Sequence, residues 1–402
     1  MINLQITMNG ILRNNVLRSL AKLIADQREE ILAANRLDVA VCATNDEVIL
    51  DRLKVDAAKI DRMIDSVEKV RNAPDPVGKT ISTFIREDGL KIENRTVPFG
   101  TILIIYEARP DVSIEAAIIA LKAGNRILLK GGKEARNTNL FLANLWKLAL
   151  LENGADPDFV KYLDISREET QNLITGGAEK FDVVIPRGGE TLIDFVLSNS
   201  KVPVIVSGRG NNFAYIDCDA DFEMALEIVL DGKSRLSVCN ALDKILIDEK
   251  IPDPDKKTDR LVAALNAKNI EVFGDSSVQN ANPSVTLFGD EEIWFEEFLS
   301  AKILVAMVSG IDEAIEKINK YSGGHSAAII TKNAEHAEKF MQEVDCAAVY
   351  HNASTRFTDG GEFGLGAEIA ISTQKLHFRG PLGAEHLLTN KWFVFGSGQT
   401  RK

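Results

Sequence analysis

The stretch Thr101-Ile-Leu-Ile-Ile-Tyr-Glu-Ala-Arg-Pro-Asp-Val-Ser-Ile-Glu-Ala-Ala-Ile-Ile-Ala-Leu-Lys-Ala-Gly-Asn-Arg-Ile-Leu-Leu-Lys130 predicts the fold of this chain. Thr101–Tyr106 is an apolar run of strand length, Val112–Ala123 has a helical pattern, and Arg126–Leu129 is a second apolar run. Short apolar strands that alternate with helices are typical of parallel sheets covered on both faces. The stretch therefore predicts an α/β fold with a doubly wound parallel sheet.

The same alternation of apolar runs and helical patterns continues towards the C-terminus. It covers two groups of elements, so we expect two α/β domains. The first group adds a helix over Asn137–Glu152 and strands over Val183–Ile185 and Val202–Val206, and the second has segments at Asp221–Leu230, Lys244–Ile247, Arg260–Ala267 and Ala327–Thr331.

Upstream of residue 101 the pattern differs. From about Asn9 to Val70, apolar residues recur at helical spacing. Thr83–Val97 then alternates apolar and polar residues on both sides of Asp88-Gly89, which predicts a β-hairpin. Near the C-terminus, Lys391–Phe395 is an apolar strand in a polar tail. Such a strand pairs either with another subunit or within its own chain, and the sequence leaves both possibilities open.

The composition is that of a globular protein with more than one core. The chain has 402 residues, of which 45% are hydrophobic and 26% charged, and its net charge is −12. The acidic balance disfavours nucleic acids and anionic membranes as partners, and no apolar run reaches the length of a membrane span. The first residues lack the features of a signal peptide. Because the four cysteines are far apart, we expect a cytoplasmic protein with reduced thiols and no metal site.

A polar, glycine-rich run follows a short apolar segment at Val349. It extends to Pro381 and mixes hydroxyls, amides, glycines and Arg356, whereas a linker would repeat a few residue types. Such a loop brings side-chain donors and bare backbone N–H groups to an anion or a polar substrate. We therefore interpret residues 349–381 as part of a binding site.

Cys239 is the best candidate for a nucleophile. It lies in Ser237-Val-Cys-Asn240, shortly before the apolar segment Lys244–Ile247. A thiolate attacks carbonyl and acyl carbons and can be activated without a dedicated histidine. Free cysteine is also among the most buried residue types, so a structural cysteine is an equal alternative at this position. For the other three cysteines we favour a structural role.

Three glycine pairs with basic neighbours end successive predicted strands. They are Lys130-Gly-Gly-Lys133, Pro186-Arg-Gly-Gly189 and Ser207-Gly-Arg-Gly210. None matches the Gly-x-Gly-x-x-Gly fingerprint of dinucleotide-binding turns, and any one of them is more often a tight turn. Together, at the strand ends where such sheets bind nucleotides, they predict a phosphate-bearing cofactor.

Histidine chemistry has few candidates in this chain. All five histidines lie between His325 and His386, and no Gly-x-Ser-x-Gly elbow is present. His325, in Gly323-Gly-His-Ser326, is the best candidate for a polar role. Glu107 and Arg109 follow a core strand and precede a proline, where charged residues line either a cleft or a solvated turn.

Five segments of the sequence together carry a family resemblance. They are Ile105-Tyr-Glu-Ala-Arg-Pro110, Lys130-Gly-Gly-Lys-Glu134, Ile185-Pro-Arg-Gly-Gly189, Val238-Cys-Asn-Ala241 and Asn352–Glu368. In this order they closely resemble the γ-glutamyl phosphate reductases, a family of the aldehyde dehydrogenase superfamily. The resemblance runs from about residue 10 to the C-terminus, and the segment from residue 352 to 381 separates this family from other aldehyde dehydrogenases.

The resemblance implies an α/β, aldehyde-dehydrogenase-like fold, with two doubly wound α/β domains and a small β module for oligomerisation. Residues 1–82 and 98–225 then form the cofactor-binding domain, and residues 226–383 form the catalytic domain. Residues 83–97 and 384–402 supply the oligomerisation hairpin and the C-terminal strand.

By matching position, the resemblance also implies a cofactor site. Lys130 matches the ligand of the adenosine ribose, and Glu297 matches that of the nicotinamide ribose. Lys133 stands where NAD-preferring relatives often carry glutamate, and a cation there favours the 2′-phosphate of NADPH. The residues that we predict to bind NADPH/NADP are Lys130, Gly132, Lys133, Arg187, Gly188, Gly189, Ser207, Gly208 and Glu297.

The implied activity is reduction of L-glutamyl 5-phosphate to L-glutamate 5-semialdehyde, the second step of proline biosynthesis. The Cys239 thiolate expels phosphate, NADPH delivers hydride to the thioester, and the Cys239 backbone N–H and a nearby donor hold the oxyanion. The predicted substrate residues are Glu107, Arg109, Asn240, His325, Asn352, Ser354, Thr355 and Arg356. The implied partners are further copies of the chain in a homo-oligomer and, transiently, glutamate 5-kinase, because its product is labile.

The sequence also departs from the family pattern. The place where many relatives carry a water-activating glutamate reads Val206-Ser207, which suits phosphate as the acyl acceptor. Lys233–Cys239 is one residue shorter than the usual approach to the cysteine, and Asn211-Asn-Phe213 differs from the usual residues after the glycine turn. Two alternatives therefore stay open: a phosphate-independent aldehyde dehydrogenase for a small semialdehyde, and a degenerate family member that serves as a binding partner.

Overall fold

Parallel sheets covered by helices dominate the structure, a computed structural model that describes residues 8–42, 47–177 and 179–401. In these ranges the helices are α1 (Gly10–Asp26), α2 (Arg28–Val41), α3 (Glu47–Leu53), α4 (Ala57–Asn72), α5 (Val112–Lys122), α6 (Arg136–Glu152), α7 (Arg167–Ile174), α8 (Glu190–Asn199), α9 (Phe222–Gly232), α10 (Pro254–Asn266), α11 (Ser276–Ala281), α12 (Ile311–Tyr321) and α13 (Ala334–Glu343). None of these described helices combines the length and the apolar character that a membrane span needs.

The strands follow the same numbering along the chain. They are β1 (Thr80–Ile85), β2 (Lys91–Pro98), β3 (Thr101–Tyr106), β4 (Arg126–Lys130), β5 (Val160–Tyr162), β6 (Val183–Arg187), β7 (Asn212–Ile216), β8 (Leu242–Asp248), β9 (Glu271–Gly274), β10 (Thr286–Leu287), β11 (Lys302–Val308), β12 (Ser326–Ile330), β13 (Ala348–His351), β14 (Ile371–Ser372), β15 (Gly380–Pro381) and β16 (Leu388–Phe395). The alternation of strands and helices confirms the predicted α/β class.

The chain forms two compact units, each built from separate segments. Unit 1 comprises Met1–Val206, Gly364–Ala370 and Leu382–Lys402, and unit 2 comprises Ser207–Phe363 and Ile371–Pro381. The units divide after Val206, whereas the domain boundary that we expected lay after residue 225. The observed division is earlier because β7, which lies between these two points, pairs with β8 and β12 of unit 2. The assignment of cofactor, catalytic and oligomerisation roles to these segments stays a prediction.

The parallel sheet of unit 1 has the strand order β5-β4-β3-β6. Successive side chains of β3 point to opposite faces, and both faces are buried. Ile102 and Ile104 pack with α1, α4, α5 and α6, whereas Leu103 and Ile105 pack with residues of α7 and α8. This two-sided burial explains why β3 is a continuous apolar run and does not alternate with polar residues.

A small antiparallel sheet of unit 1 contains the predicted hairpin. β1 pairs with β2, and Gly89 in the turn between them has a φ of 82°, which glycine adopts without strain. β16 pairs with β2 along its whole length, from Leu388 opposite Pro98 to Phe395 opposite Lys91. The C-terminal strand therefore pairs within its own chain, which was one of the two possibilities that the sequence left open.

The parallel sheet of unit 2 has the strand order β10-β9-β11-β8-β7-β12-β13. The short strands β14 and β15 form a separate antiparallel pair in the same unit. Ile245 and Ile247 of β8 pack with α9, α10 and α11, whereas Leu246 packs with residues of α12 and α13. The doubly wound arrangement predicted for the second half of the chain is therefore confirmed.

One predicted strand is wrong. Val202–Val206 does not form a strand, and its pairing is limited to a single parallel bridge between Val184 and Val204. Pro203 has no N–H to donate to a neighbouring strand, so a regular ladder cannot continue through this segment.

Candidate active site

The loop that carries Cys239 runs from the end of α9 to the start of β8 in unit 2, and two residues at the start of β7, Gly210 just before it and Asn212 as its first residue, hold the loop in place. The side-chain amide of Asn212, which is fully buried, donates to the Cys239 and Ala241 carbonyl oxygens, both at 2.7 Å. A Cβ at Gly210 would lie 1.9 Å from the Cys239 carbonyl oxygen. The backbone can approach the cysteine here only because residue 210 has no side chain. Cys239 itself is half-buried.

Asn240 joins this loop to the predicted substrate segment. Its side-chain N–H groups donate to the carbonyl oxygens of Arg356 at 3.0 Å and Thr358 at 3.1 Å. Its own backbone carbonyl accepts from the Thr355 hydroxyl at 3.0 Å, and its side-chain oxygen accepts from the Arg356 guanidinium. These contacts occupy both amide hydrogens of Asn240, so the residue positions the 355–358 segment instead of donating to a substrate.

Arg356 is the cation that the structure brings next to Cys239. It is half-buried, and its charge interacts with Cys239. Burial, followed by the neighbouring charge of Arg235, lowers the pKa of Arg356 below its usual value, while Asp231 and Asp359 oppose this effect. Because a guanidinium keeps its proton under these conditions, Arg356 offers a fixed positive charge beside the nucleophile.

His325 lies at the end of a buried chain of hydroxyl groups. Its Nδ1 is 2.8 Å from the Ser326 hydroxyl, which is 2.7 Å from the Thr358 hydroxyl, and Thr358 is also 2.7 Å from the Tyr350 hydroxyl. His325 is fully buried, and burial lowers its pKa to about 4. The imidazole is therefore neutral near pH 7 and adds no positive charge to the site. Its contact with the substrate stays a prediction.

The side chains of two other predicted substrate residues form hydrogen bonds with the backbone. Asn352 has a left-handed φ of 54°, and its side chain accepts from the Thr331 N–H and donates to the Thr331 carbonyl, both at 3.0 Å. Ser354 caps the short 3₁₀ turn over Thr355–Phe357 by accepting from the Arg356 N–H at 3.2 Å. The structure therefore brings Ser354, Thr355 and Arg356 together next to Asn240 and holds Asn352 at Thr331.

Unit 2 also contains three of the predicted cofactor residues. Ser207 forms an antiparallel bridge to Ser372, and a Cβ at Gly208 would lie 2.3 Å from the Thr373 side chain. Glu297 is half-buried, and the residues on either side of it are hydrogen-bonded to β8.

In unit 1, Lys130 and the glycines that follow it end β4. The Lys130 ammonium donates to the Gly131 carbonyl oxygen at 2.6 Å, and burial lowers its pKa. A Cβ at Gly132 would lie 2.3 Å from the Glu134 carboxylate and close to the backbone of Ala108. Lys133 opens a 3₁₀ turn and is exposed. The end of β4 thus carries two positive charges, the partly buried Lys130 ammonium and the exposed Lys133 ammonium.

The other glycine pair of unit 1 opens α8. Gly189 is the N-cap of α8 without a side-chain cap, and a Cβ there would meet nothing within 4 Å. The Glu107 carboxylate accepts from the Gly189 N–H at 3.3 Å and would clash with a side chain at Gly188. Glu107, which we predicted for the substrate, therefore lies against the glycines that we predicted for the cofactor.

The two arginines predicted in unit 1 differ in their contacts. Arg187, predicted to bind the cofactor, donates to the Ile369 carbonyl oxygen at 2.5 Å, so it ties the 364–370 segment to β6. Arg109 is half-buried at the turn after β3. Arg187 thus has a structural contact that the sequence did not reveal.

The sequence interpretation missed the role of Asn212. Asn211-Asn-Phe213 was noted only as a departure from the family pattern, yet both asparagines are fully buried. The Asn211 amide donates to the Trp294 and Tyr321 carbonyl oxygens at 2.7 and 2.8 Å. Two adjacent amides directly after a glycine turn were the available signal, because buried amides are normally hydrogen-bonded.

A second polar cluster lies at the other end of β7. Ligand atoms of Asp217, Cys218 and His336 lie within 4.8 Å of one another. One Asp217 carboxylate oxygen already accepts from His336 Nδ1 at 2.8 Å and from the Thr331 hydroxyl at 2.6 Å. Burial raises the pKa of the Cys218 thiol to about 11. These are the contacts of a hydrogen-bonded structural cluster, and we assign no metal to it.

Comparison with known proteins adds the family context. The model of the aldehyde dehydrogenase family matches residues 7–281 and 283–366. A γ-glutamyl phosphate reductase from Clostridium botulinum (strain Eklund 17B / Type B) is 44% identical over 392 residues, which cover 97% of this chain and 94% of that protein.

Solved structures agree with this result. The crystal structure of γ-glutamyl phosphate reductase from Thermotoga maritima has a TM-score of 0.91 and 41% identity, and the match covers 98% of this chain and 95% of that one. An engineered glycolyl-CoA reductase with bound NADP⁺ has a TM-score of 0.69 at 17% identity, with 96% of this chain and 92% of that chain covered, so it shares the fold.

Proposed function

Because the chain belongs to the aldehyde dehydrogenase family, and within it to the γ-glutamyl phosphate reductases, we propose that Cys239 is the nucleophile with which it reduces L-glutamyl 5-phosphate to L-glutamate 5-semialdehyde. The reaction is the second step of proline biosynthesis and releases phosphate. The observation that supports Cys239 is its position in a half-buried loop held by Gly210 and Asn212 beside a fixed cation. Burial raises the pKa of Cys218 and Cys346 to about 11, which makes these thiols poor nucleophiles near pH 7.

The chemistry on Cys239 has two stages. The thiolate forms a bond to the acyl carbon, the bond from that carbon to the phosphate oxygen breaks, and phosphate leaves. When bound, the nicotinamide cofactor would supply a hydride to the thioester carbon. The carbon–sulfur bond of the resulting thiohemiacetal on Cys239 then breaks, which releases the aldehyde and restores the thiolate. The Cys239 backbone N–H is our candidate for stabilising the oxyanion, whereas the Asn240 amide is already occupied by the 356–358 backbone.

Arg356 is the strongest candidate for the anionic part of the substrate. It keeps a positive charge next to Cys239, and Arg235 adds a second positive charge nearby. These two cations repel each other, and Asp231 and Asp359 offset the repulsion in part, so a further anion beside Arg356 would be stabilised. We propose that the phosphate group of the substrate is that anion, and that Arg109, Ser354 and Thr355 remain secondary candidates for the rest of the substrate.

The family uses a nicotinamide cofactor, and we propose NADPH. The N-terminus of α8 attracts anions, as helix N-termini do, and already draws in the Glu107 carboxylate, which accepts from the Gly189 N–H at 3.3 Å; we propose that a cofactor phosphate binds beside it. The basic side chains that would hold the ribose and its 2′-phosphate are Lys130 and the exposed Lys133 at the end of β4. Glu297 would hold the nicotinamide ribose by matching position. Ser207 and Gly208 stay predictions for the same cofactor.

The test of this proposal is the reverse reaction with glutamate 5-semialdehyde, NADP⁺ and phosphate. We expect NADP⁺ reduction that requires phosphate, and we expect it to disappear in Cys239→Ser while Cys218→Ser remains active as the matched control. Turnover without phosphate would indicate a hydrolytic aldehyde dehydrogenase. A folded wild type with no turnover at all would indicate the binding-partner alternative.

The remaining partner assignments are proposals too. The four cysteines are free thiols, which supports a reducing compartment such as the cytoplasm. Exposed apolar residues on the β1-β2-β16 sheet, among them Phe84 and Trp392, support a homo-oligomer. A transient contact with glutamate 5-kinase would limit loss of the labile acyl phosphate to hydrolysis.

A further inference from the structure

A buried ion pair closes the loop that carries Cys239. Lys233 follows α9 and Asp243 is the second residue of β8, so Cys239 lies between them in the sequence. The Lys233 ammonium is 2.6 Å from one Asp243 carboxylate oxygen, and their side chains are 0% and 2% exposed. Buried ion pairs are weak sources of stability, because the loss of hydration offsets the attraction between the charges. A geometric role explains such a pair better.

The second carboxylate oxygen of Asp243 extends this network to the Glu297 segment. It accepts from the Phe298 N–H at 2.9 Å. The ammonium of the adjacent Lys244 donates to the Glu296 carbonyl oxygen at 2.7 Å and lies 3.9 Å from the centre of the Phe298 ring. The backbone is therefore held on both sides of Glu297.

An irregularity in the sheet makes this arrangement possible. Neighbouring residues on a regular strand point to opposite faces. Between β7 and β8, however, Asn212 pairs with Leu242 and Phe213 pairs with Lys244, so Asp243 has no residue opposite it. Such a bulge re-aims side chains and is common next to active sites. Here it lets Asp243 and Lys244 reach the same segment.

The positive and negative charges around Lys233 and Lys244 offset one another. Lys233 and Lys244 are its cations, and the carboxylates that interact with them are Asp243, Glu297 and, for Lys244, Glu296. Burial lowers the pKa of both lysines, that of Lys244 to about 8, while the carboxylates raise it. The Glu297 carboxylate is thus part of the same balance of charges as the ion pair that closes the Cys239 loop.

We propose that Lys233, Asp243 and Lys244 are positioning residues that fix the Cys239 loop and the Glu297 segment relative to each other. The proposal rests on the proposed function, in which Cys239 attacks the substrate and Glu297 holds the nicotinamide ribose. As a consequence, these three residues would set the distance between the Cys239 nucleophile and the Glu297 carboxylate without contacting the substrate or the cofactor themselves.

The test compares two buried lysines that make similar contacts. Lys122 in unit 1 is also buried, and its ammonium donates to the Arg71 carbonyl oxygen at 2.9 Å and to the Asn14 side chain at 3.1 Å. Lys244→Met and Lys122→Met each remove one buried cation and its bond to a backbone carbonyl. We expect both to lower the melting temperature, which controls for the structural loss.

The two variants should differ in cofactor binding. We expect Lys244→Met to raise the Kd for NADPH, measured by fluorescence titration, about tenfold, and Lys122→Met to leave it within about twofold. Lys244→Gln keeps an N–H donor for the Glu296 carbonyl oxygen and should recover most of the lost affinity. An unchanged Kd in Lys244→Met, or an equal loss in Lys122→Met, would overturn the proposal.

Alkylation of Cys239 by iodoacetamide, followed by peptide mapping, tests the other half of the network. We expect Asp243→Asn to change the alkylation rate at least about fivefold relative to Lys122→Met, because the loop around the half-buried Cys239 thiol loses its closing ion pair. An unchanged rate would refute this half. The NADPH titration and the alkylation do not depend on turnover. A wild type without phosphate-dependent activity would therefore contradict only the proposed function. Unchanged NADPH affinity in Glu297→Gln would contradict the role of Glu297.

Discussion

At the scale of single residues, Gly210 is the position with the least room beside Cys239. A Cβ at Gly210 would lie 1.9 Å from the carbonyl oxygen and 2.6 Å from the Cα of Cys239. Neither backbone atom can move aside independently, so the whole nucleophile loop has to shift. The position of the Cys239 sulfur therefore depends on the lack of a side chain at Gly210.

We expect Gly210→Ala to lower kcat on the order of 100-fold, because a displacement of about 1 Å at a nucleophile has effects of this size. Gly289→Ala is the matched control in unit 2, since a Cβ there would meet nothing within 4 Å and its φ is not in the left-handed region. Steady-state kinetics of both variants would decide. Equal activity of the two would mean that the loop tolerates the shift.

His325 gives a prediction about pH. Its pKa in the folded protein is lowered to about 4 by burial, whereas an unfolded histidine has a pKa of about 6.5. As the pH falls below about 6.5, the unfolded chain therefore gains a proton that the folded chain does not take up until about pH 4, so stability decreases in this window. The loss attributable to His325 at pH 5 is about 2 kcal/mol relative to pH 7.5.

Urea denaturation at pH 7.5 and pH 5 measures this effect. We expect the difference in midpoint between the two pH values to be smaller in His325→Gln than in the wild type. His351→Gln, at an exposed histidine, should retain the wild-type difference. The same pH dependence in all three proteins would show that His325 titrates normally in the folded state.

At the scale of secondary-structure elements, the C-terminal strand and the hairpin form an unusually exposed sheet. β1 is exposed along its whole length, and the exposed large apolar residues of the sheet are Ile81, Phe84, Ile85, Trp392, Val394 and Phe395. Phe84 and Val394 both lie opposite Ile92, and Trp392 is two residues from Val394, so these three share one face of the sheet. Exposed apolar residues grouped on one face mark an interaction site. We expect it to be covered by another copy of the chain.

Phe84→Lys combined with Trp392→Lys should therefore lower the molecular mass observed by analytical ultracentrifugation. Leu151→Lys, at an exposed leucine of α6 in the same unit, is the control that should leave the mass unchanged. If the double variant assembles like the wild type, this sheet is not the interface.

The predictable elements and the missed ones differ in how local their causes are. β3 was predictable because a run of apolar residues such as Thr101–Tyr106 needs burial on both faces wherever it lies. β7 was missed because it opens with Asn212, whose partners at Cys239 and Ala241 are distant in sequence. The same limit applies to the site: the sequence could propose Cys239 and Arg356, which stay predictions, but it could not reveal the hydrogen bonds of the Asn240 amide that join their segments.

At the scale of the whole molecule, the order of the segments along the chain makes the two units unequal. Unit 1 needs residues from both ends of the sequence: the Asn125 side chain donates to the Leu387 carbonyl at 2.8 Å, and Arg187 binds the Ile369 carbonyl. Unit 2 lies entirely within residues 207–381. A continuous fragment of residues 207–381 can therefore contain all of unit 2, with the short segment Gly364–Ala370 of unit 1 between its two parts, whereas no fragment that omits unit 2 contains all of unit 1.

We expect a fragment of residues 207–381 to melt cooperatively and a fragment of residues 1–206 not to. The second fragment lacks the core residues Ile369, Leu382 and Leu387, and β2 loses β16 as its partner. Circular dichroism during heating, with the full-length chain as the reference, distinguishes the two results. A cooperative transition in residues 1–206 would show that the missing segments are dispensable.

The hydrogen bonds between Asn240 and the 355–358 segment also constrain how this protein can be re-engineered. Designers often change the substrate range of an enzyme by exchanging a loop and leaving the nucleophile untouched. Here the residue next to the nucleophile donates to the Arg356 and Thr358 carbonyl oxygens and accepts from the Thr355 hydroxyl. A transplanted loop that does not offer Asn240 these two carbonyl oxygens and this hydroxyl would disturb the cysteine as well. A chimera therefore has to take both segments from the same parent protein.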